Sequence, residues 1–452
     1  MKPITIEEVC KACGGNFVGP KEKLTQVITG VVKDNREVKR GDLFVPFRGA
    51  NVDAHRFIPA AYEAGAAMVL SEEELTGDVA YIKVDSCFQA LKDIAAYYRK
   101  QLTCKIIGVI GSVGKTSTKE MVASVLGTHY SVQKTAGNLN NEIGLPLTIL
   151  SIEAEHEIGI VEMGISDFGE MTRLSEIARP DMVVMTNIGD CHLEMLHDRD
   201  GVLKAKTEVL PYISQGGLLV LNDVDEKLAT VKAPEGVTRI GYGFTEDKVV
   251  YATGSKAVGD TAHAATIHVN GEAFDVTIPL PGEHNLYNAM AAVCVGWKLG
   301  LSIAEMKQGI ESVGAVSGRN NRIEKDGCTI IDDCYNANPA SMRASLSVLA
   351  NAKGRKIAVL GDMGELGERE KELHYEIGFF AAEKGINVLF CTGELSKEMV
   401  CGAEAAKNGM CVKHFETKEE LVKALLCEKR TGDTILIKAS HFMRYETVVA
   451  AL

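Results

Sequence analysis

Residues 105–117, Lys-Ile-Ile-Gly-Val-Ile-Gly-Ser-Val-Gly-Lys-Thr-Ser, decide the fold of this chain. The first six form an apolar run that predicts a buried β-strand, and the residues after the loop predict a helix through Met121, Val122 and Val125. Two glycines lie between strand and helix and let backbone N–H groups approach phosphate oxygens, where the helix N-terminus adds partial positive charge. The stretch therefore predicts a phosphate-binding loop.

The loop supplies candidate contacts for a nucleotide, namely Gly111, Ser112, Val113, Gly114, Lys115, Thr116 and Ser117. Lys115 can bridge the β- and γ-phosphates, and the hydroxyl of Thr116 can bind Mg²⁺. The general phosphate-loop pattern is incomplete, because its first glycine would fall on Val109. The simpler alternative is a glycine turn with a chance Lys-Thr pair, and the flanking strand and helix argue against it.

Short apolar runs alternate with helical patterns after this loop, which predicts parallel sheets with helices on both faces. The central strand candidates are Lys105–Ile110, Gly159–Met163, Met182–Thr186 and Leu218–Leu221. After Val313–Gly318 a second series begins, with Thr329–Ile331, Lys356–Leu360, Asn387–Cys391 and Thr434–Ile437. Residues 237–280 instead alternate with period 2, and Asn270-Gly271 is a hairpin signal, so a small antiparallel patch is expected there.

These patterns predict an α/β protein of three domains. The first, residues 1–100, is a mixed α/β domain, and the second, residues 101–313, is a parallel sheet with the phosphate loop and the antiparallel patch. The third, residues 314–452, is a Rossmann-like α/β domain. A chain of 452 residues is too long for a single core, which agrees with this division.

Composition excludes some classes of function. The net charge of −12 argues against general binding to nucleic acid or anionic membranes. No apolar run is long enough to span a membrane, and the start lacks a signal core, so we expect a cytoplasmic protein. The twelve cysteines are scattered, and Cys10 and Cys13 have no second pair at zinc-ligand spacing. We interpret them as thiols of a reducing compartment.

A carboxylate and an imidazole follow two predicted strands. Glu162 lies near the end of the strand at 159–163, and His192 follows the strand at 182–186. Ligand groups gather at the carboxyl ends of parallel strands, where these two side chains can complete a metal shell with nucleotide oxygens. Alone, each would more often be structural or solvated, and their joint position beside Lys115 makes them candidates. Lys204 and Lys206 lie on a following helix, where exposed lysines are the default interpretation.

With these residues in view, the chain resembles the Mur ligase family over essentially its whole length. The phosphate loop and Thr135–Pro146 match two family signatures, and Gly282–Ala289 matches the segment whose asparagines reach the adenine side of ATP. Asp332–Met342 and Val359–Gly367 are similar to signatures of the branch that adds D-alanyl-D-alanine.

The resemblance implies ATP and two Mg²⁺ sites, with Glu162 and His192 as metal ligands. It implies a carbamylated lysine at the second Mg²⁺, mapped to Lys206 with Lys204 as the other register. Arg319 maps to the arginine that reaches the γ-phosphate, with Arg322 as the rival register. The other implied nucleotide contacts are Asn138, Asn141, Asn285, Asn288 and Asp332.

The resemblance also implies the substrates, UDP-N-acetylmuramoyl-tripeptide and D-alanyl-D-alanine, and a monomer. Implied contacts to the substrates are Tyr335, Asn336, Asn338 and Ser341 in the third domain and Asp34, Asn35, Arg36, Arg48, Asp53 and His55 in the first. Asn35, Ala54 and His441 depart from the family pattern, which leaves open the details at the UDP-sugar and dipeptide ends. The identity of the third peptide residue, lysine or diaminopimelate, is also open.

Other classes of function share some of these features. A nucleotide-hydrolysing switch would need the phosphate loop but not the third domain. A non-catalytic UDP-sugar-binding protein would not need Lys115, Thr116, Glu162 and His192. A folate-polyglutamate ligase or an earlier Mur ligase would share the ATP motifs and lack the Asp332–Met342 string.

Overall fold

Three α/β regions follow one another along the chain in the computed structural model, which describes residues 1–49 and 51–452. The first region has a two-stranded antiparallel sheet of Ile4–Thr5 and Val27–Ile28. Its main sheet has five strands, parallel except for the first pair, in the spatial order Asn16–Val18, Tyr81–Lys83, Met68–Ser71, Asp42–Phe44 and Gly30–Val32.

A nine-stranded sheet forms the central region. Its parallel part runs in the order Thr238–Gly243, Leu218–Asn222, Met182–Met185, Lys105–Ile110, Ile158–Glu162 and Val132–Lys134. Next to Thr238–Gly243 the sheet continues with Val250–Val258, Ala262–Val269 and Glu272–Ile278. The middle one of these three strands is antiparallel to both of its neighbours.

A six-stranded sheet forms the third region. Its order is Asn321–Lys325, Cys328–Asp332, Thr434–Lys438, Lys356–Gly361, Val388–Thr392 and Cys411–Phe415. All neighbours are parallel except the first pair, which is an antiparallel hairpin.

Helices accompany all three sheets. The first region contains Ile6–Cys13, Ile58–Glu63 and Cys87–Arg99. The second contains Lys115–Leu126, Gly144–Leu150, Glu170–Ala178, Leu193–Leu196, Arg199–Thr207, His284–Lys298 and Ile303–Glu311. The third contains Pro339–Ala350, Glu370–Glu383, Ser396–Ala405, Lys418–Glu428 and Glu446–Ala451. Across the described part of the chain, no helix has the length and apolarity to cross a membrane.

The central sheet is buried on both faces. Neighbouring residues of strand 105–110 point to opposite sides, so Ile107 joins the core under helices 115–126 and 284–298, and Ile106 joins the core on the other face. That second core is continuous with helix Cys87–Arg99 of the first region, whose Tyr98 hydroxyl donates to the Ile152 carbonyl at 2.5 Å. The first two regions thus share one apolar core, which also includes Met342, Leu346 and Leu360 of the third region.

The predicted α/β class is confirmed, and each predicted central and C-terminal strand is present with bounds shifted by at most one residue. The hairpin at Asn270-Gly271 is also present, with φ of 49° and 84° at the two turn residues. The predicted antiparallel patch is continuous with the parallel sheet. Strands Val132–Lys134 and Asn321–Lys325 were not predicted, because most of their residues are polar or exposed.

The topology gathers functional loops at one edge of the sheet. Strand Lys105–Ile110 lies between Ile158–Glu162 and Met182–Met185, and all three are parallel. Their carboxyl ends therefore meet, which brings the phosphate loop, Glu162 and the 186–192 segment together.

Two glycines allow helices Glu370–Glu383 and Ser396–Ala405 to pack closely in the third region. A Cβ at Gly378 would lie 1.8 Å from the Met399 carbonyl oxygen, and one at Gly402 would lie 2.0 Å from that of Tyr375. Backbone meets backbone here, so neither contact can relax through a flexible side chain.

We expect Gly378→Ala to destabilise the third region by about 1–3 kcal/mol, because the two helices must separate to admit the methyl group. Urea unfolding monitored by circular dichroism measures this change. Gly314→Ala is the control, since a Cβ there meets no atom within 4 Å. Equal unfolding midpoints for the two variants would contradict the packing argument.

Candidate active site

A cavity of ≈ 530 Å³ lies between the second and third regions. Residues Ser112–Ser117 of the phosphate loop line one side, and Arg319, Asp333 and the segment Tyr335–Asn338 line the other. The cavity therefore joins a phosphate-binding element of one sheet to side chains of another.

The phosphate loop is held by the strand end next to it. Gly111 has φ of 150°, and a Cβ there would lie 1.9 Å from the Thr186 hydroxyl oxygen, so only glycine fits. Asn187 accepts a hydrogen bond from the Val113 amide at 2.9 Å and donates to the Val113 carbonyl at 3.0 Å. The predicted loop conformation thus depends on the 186–187 segment.

The helix after the loop begins with its amides available to a ligand. Gly114 precedes the helix with φ of 83°, and no side chain caps this end. The Lys115 amino group donates to the Gly111 carbonyl at 3.0 Å. Free N–H groups, the helix dipole and a lysine at one point make an anion-binding site.

Glu162 is fixed beside Thr116 at the cavity wall. The Thr116 hydroxyl donates to one carboxylate oxygen and the Asn140 side chain donates to the other, each at 2.8 Å. Thr135 accepts from the Glu162 amide at 2.9 Å, while its carbonyl accepts from the buried Lys119 amino group at 2.7 Å. A 1% exposed carboxylate with a hydroxyl beside it offers the hard oxygen ligands that Mg²⁺ prefers.

Within residues 1–49 and 51–452, no three His, Cys, Asp or Glu side chains converge as a complete metal site. The donor set of Thr116, Glu162 and nearby His192 is partial, which suits a Mg²⁺ ion whose other ligands are water and nucleotide oxygens.

His192 lines the cavity in a left-handed backbone conformation, with φ of 53°. Its Nδ1 lies 2.5 Å from the Oε2 atom of Glu365, which belongs to the third region. This contact lowers the pKa of the Glu365 carboxyl. His192, the predicted metal ligand, therefore contacts a loop of the third region.

Lys206 and Lys204 have opposite environments. Lys206 is 1% exposed and forms no hydrogen bond or ion pair in the described part of the chain. Burial, with a smaller contribution from the Lys115 charge, lowers its pKa to about 8. Lys204 is exposed, with its amino group 5.6 Å from the Phe168 ring centre. Of the two registers, the structure favours Lys206 as the unusual lysine.

Asn285 and Asn288 extend a polar chain from the first turns of helix 115–126. The Thr118 hydroxyl donates to Asn288 at 2.7 Å, Asn288 donates to Asn285 at 3.1 Å, and Asn285 donates to the Pro281 carbonyl at 2.8 Å. Asn288 lines the main cavity, and Asn285 lines a smaller one beside it. His284 lines both, and desolvation lowers its pKa to about 4, which keeps the imidazole neutral at pH 7.

Arg319 lines the cavity, with its guanidinium carbon 4.3 Å from the centre of the Tyr335 ring. Arg322 is not among the lining residues and pairs with Asp260, with its Nη1 3.0 Å from the carboxylate. The structure thus favours Arg319 over Arg322 as the arginine that faces a nucleotide.

Asp333, rather than the predicted Asp332, faces the cavity. The Lys438 amino group lies 2.7 Å from the Asp333 carboxylate, and both side chains are buried. Asp332 instead accepts from the Cys334 thiol at 2.8 Å. Successive strand residues point to opposite faces, so a shift of one residue exchanges the two carboxylates.

The four predicted contacts of the third region all line the cavity, namely Tyr335, Asn336, Asn338 and Ser341. Asn338 and Ser341 also cap helix Pro339–Ala350, since each accepts a hydrogen bond from the other's amide, at 2.9 and 3.0 Å. Their cavity position is therefore fixed by the start of this helix.

The predicted contacts of the first region lie outside this cavity. Asp34 pairs with Arg36, and Asn35 lies between them. Arg48 pairs with Glu73 at 2.6 Å and with Asp53 at 3.5 Å. His55 is buried, and its ring contacts Asp53 through Nδ1 at 2.7 Å and accepts from the Glu72 amide through Nε2 at 3.1 Å. Both His55 nitrogens are therefore engaged within the protein.

Among the predicted residues of the second signature, Asn141 lines the cavity and Asn138 does not. Several lining residues were not among the predicted site residues: Asn140, Asn187, His284, Asp333 and Lys438. Three of these five lie inside the motifs already identified, whereas Asn187 and Lys438 carry no signal beyond their place directly after a predicted strand.

Three stretches of the chain match models of one protein family. They are the "Mur ligase family, catalytic domain" over residues 27–99, the "Mur ligase middle domain" over residues 109–296, and the "Mur ligase, glutamate ligase domain" over residues 318–441.

Individual proteins are similar over almost the full length. The UDP-N-acetylmuramoyl-tripeptide–D-alanyl-D-alanine ligase of Bacillus subtilis is 35% identical, covering 99% of this chain and 98% of its own. A crystal structure of MurF from Acinetobacter baumannii superposes with a TM-score of 0.89 at 31% identity, covering 100% and 98%. MurF ligase from Thermotoga maritima in complex with ADP gives a TM-score of 0.81 at 30% identity, covering 93% and 96%. The chain belongs to the Mur ligase family.

Proposed function

We propose that this protein is an ATP-dependent ligase that joins D-alanyl-D-alanine to UDP-N-acetylmuramoyl-tripeptide in the synthesis of peptidoglycan precursors. The observation that carries the proposal is the cavity in which the phosphate loop faces Arg319, Tyr335 and Asp333 of the neighbouring region. Relatives that match along almost the whole chain carry the name of this ligase.

The reaction needs an activated carboxylate. The terminal carboxylate of the tripeptide attacks the γ-phosphorus of ATP, and ADP leaves, giving an acyl phosphate. The amine of D-alanyl-D-alanine then attacks the carbonyl carbon, loses a proton and expels phosphate. Each turnover therefore converts one ATP to ADP and phosphate and forms one amide bond.

The chain contributes mainly positioning and charge. The amides of the uncapped helix start and the Lys115 amino group would hold the phosphates on one side. Arg319 would face the transferred phosphoryl group from the other side, with the Tyr335 ring supporting its guanidinium. The neutral imidazole of His284 and the amides of Asn285 and Asn288 would line the nucleoside end.

Thr116, Glu162 and His192 are the residues that would hold Mg²⁺, which supplies charge neutralisation at the phosphates when bound. The buried, unpaired Lys206 fits a carbamate. At a pKa of about 8, roughly a quarter of the lysine is free amine at pH 7.5, and free amine is the form that reacts with CO₂. A carbamate at Lys206 would supply a carboxylate for a second Mg²⁺.

The three regions have separate proposed roles. Residues 1–100 bind the UDP-muramoyl end, with Arg36 and Arg48 as exposed cationic candidates for the pyrophosphate. Residues 101–313 bind ATP, and residues 314–452 bind the incoming dipeptide. We propose that the protein acts as a monomer in the cytoplasm, where nucleotide-linked precursors are made.

Phosphate release with one substrate omitted at a time tests the proposal. With ATP and Mg²⁺ present, we expect phosphate release only when both UDP-N-acetylmuramoyl-tripeptide and D-alanyl-D-alanine are added, with one new amide per phosphate. Sustained release without either acceptor would support a nucleotide switch instead. Binding of the UDP-sugar without turnover would support the non-catalytic alternative.

We expect Arg319→Ala to lower the kcat of ligation by about 100-fold or more, because a charge facing the transferred phosphoryl group is lost. Steady-state ligation at saturating substrates measures this effect. Arg322→Ala is the matched control, since Arg322 pairs with Asp260 outside the cavity. Similar rates for both variants would rule out the assigned role of Arg319.

We expect ¹³C-bicarbonate to give a carbamate signal in the ¹³C NMR spectrum of the wild-type protein that Lys206→Met abolishes. At equilibrium and constant bicarbonate the signal should be stronger at pH 9 than at pH 7, because the amine and bicarbonate form carbamate and water, and the fraction of free amine increases as the pH passes the Lys206 pKa of about 8. Lys204→Met should keep the signal, since Lys204 is exposed. A signal that survives Lys206→Met would remove the carbamate assignment.

A further inference from the structure

The loop after strand Lys356–Gly361 reaches across to the segment that carries His192. Besides the Nδ1–Oε2 contact of 2.5 Å, the Leu193 amide donates to the Glu365 carbonyl at 2.9 Å. Arg369 extends the same interface, with its guanidinium 3.7 Å from the Asp190 carboxylate. Glu365 thus contacts both the backbone and the ring of the segment that supplies a proposed Mg²⁺ ligand.

Both partners of this contact have uncommon backbone conformations. His192 has φ of 53° and Glu365 has φ of 61°, in the left-handed region that residues other than glycine rarely adopt. Such conformations persist when surrounding contacts hold them, and they are concentrated at functional sites. The backbone bond between the two segments is a contact of this kind.

Glu365 does not belong to the cavity wall. Its side chain is 58% exposed, whereas that of His192 is 24% exposed and lines the cavity. An effect of Glu365 on the reaction must therefore pass through His192. Because the Glu365 carboxylate lies 2.5 Å from Nδ1, although without the alignment of a hydrogen bond, the ring nitrogen left for a metal is Nε2.

We propose that Glu365 is a positioning residue that orients the His192 ring through Nδ1 and so prepares Nε2 for the metal. The proposal rests on the proposed function in taking His192 as a Mg²⁺ ligand. A carboxylate on the second nitrogen of a metal-binding histidine fixes the ring orientation and raises its basicity. Here that carboxylate comes from a different region of the chain than the histidine.

The arrangement couples metal binding to the docking of the third region. When the 361–369 loop is in place, His192 has its orienting partner, and the same docking brings Arg319 to the cavity. When the loop moves away, the histidine loses the Glu365 carboxylate and the Leu193–Glu365 bond. Metal affinity and the position of the third region therefore change together.

Mn²⁺ binding to the full chain in the presence of ADP, followed by electron paramagnetic resonance, tests the proposal without relying on turnover. Glu365→Asn removes the carboxylate and shortens the side chain, so that it no longer reaches Nδ1, and it keeps a residue type that tolerates positive φ. We expect this variant to weaken Mn²⁺ binding by about 10- to 100-fold. Glu365→Gln keeps an oxygen acceptor at full reach and should restore most of the affinity.

Two controls separate an effect on the orientation of the His192 ring from a general weakening of the interface between the two segments. Arg369→Ala weakens the same interface without touching His192, and it should bind Mn²⁺ like the wild type. In a His192→Ala background, Glu365→Asn should cause no further loss, because its effect acts through the histidine. Equal losses for Arg369→Ala and Glu365→Asn, or additive losses with His192→Ala, would overturn the proposal.

Ligation kinetics distinguish this inference from the proposed function. We expect Glu365→Asn to raise the Mg²⁺ concentration needed for half-maximal ligation more than it lowers kcat at saturating Mg²⁺. A wild-type protein that makes no amide would defeat the proposed function, while the Mn²⁺ cycle would still decide the role of Glu365. An active wild type with unchanged Mn²⁺ and Mg²⁺ dependence in Glu365→Asn would defeat the inference alone.

Discussion

The close contact between Gly111 and Thr186 is the constraint on which the site depends. A side chain at residue 111 has no room, so the chain leaves its strand in a conformation that only glycine adopts easily. That exit directs the next residues over the carboxyl end of the sheet and starts helix 115–126 with open amides. Glu162 and His192 acquire their positions relative to these amides because their strands are hydrogen-bonded neighbours of strand 105–110.

The site combines two groups of residues. Those of the central sheet can bind phosphate by themselves, and the others are brought to the cavity by the third region. The central sheet supplies the phosphate loop, the Thr116–Glu162 pair and the buried Lys206. The third region supplies Arg319 and the buried Asp333–Lys438 ion pair. An ion pair between two buried groups is costly to break, so Asp333 and Lys438 hold each other in place at the cavity wall. Phosphate-binding groups on one face and charged groups on the other suit a reaction controlled by positioning.

Much of the fold could be predicted because its strands are apolar, short and bounded by turns. Lys105–Ile110 was predicted with its observed bounds, whereas Asn321–Lys325 was missed because most of its residues are polar and it lies at the edge of its sheet. The site residues inside a rigid motif could be predicted as well. Asp333 could not be separated from Asp332, since the choice depends on which face of a strand end meets the cavity. The Glu365–His192 contact joins residues 173 positions apart, and no local pattern records how two regions dock.

The shared core of the first two regions has a consequence for dividing the molecule. Leu91, Ile94 and Tyr98 of helix 87–99 pack in the same apolar cluster as the central sheet, and Arg99 donates to the Ala178 carbonyl at 2.8 Å. A fragment that begins after residue 100 would expose this apolar face and leave the Ile152 and Ala178 carbonyls without their donors. The boundary near residue 100 therefore separates two proposed binding roles, but it is not a place where the chain can be divided into two independently folded parts. A chimeric protein that takes its first region from a relative would therefore also need core residues in the central region that match it.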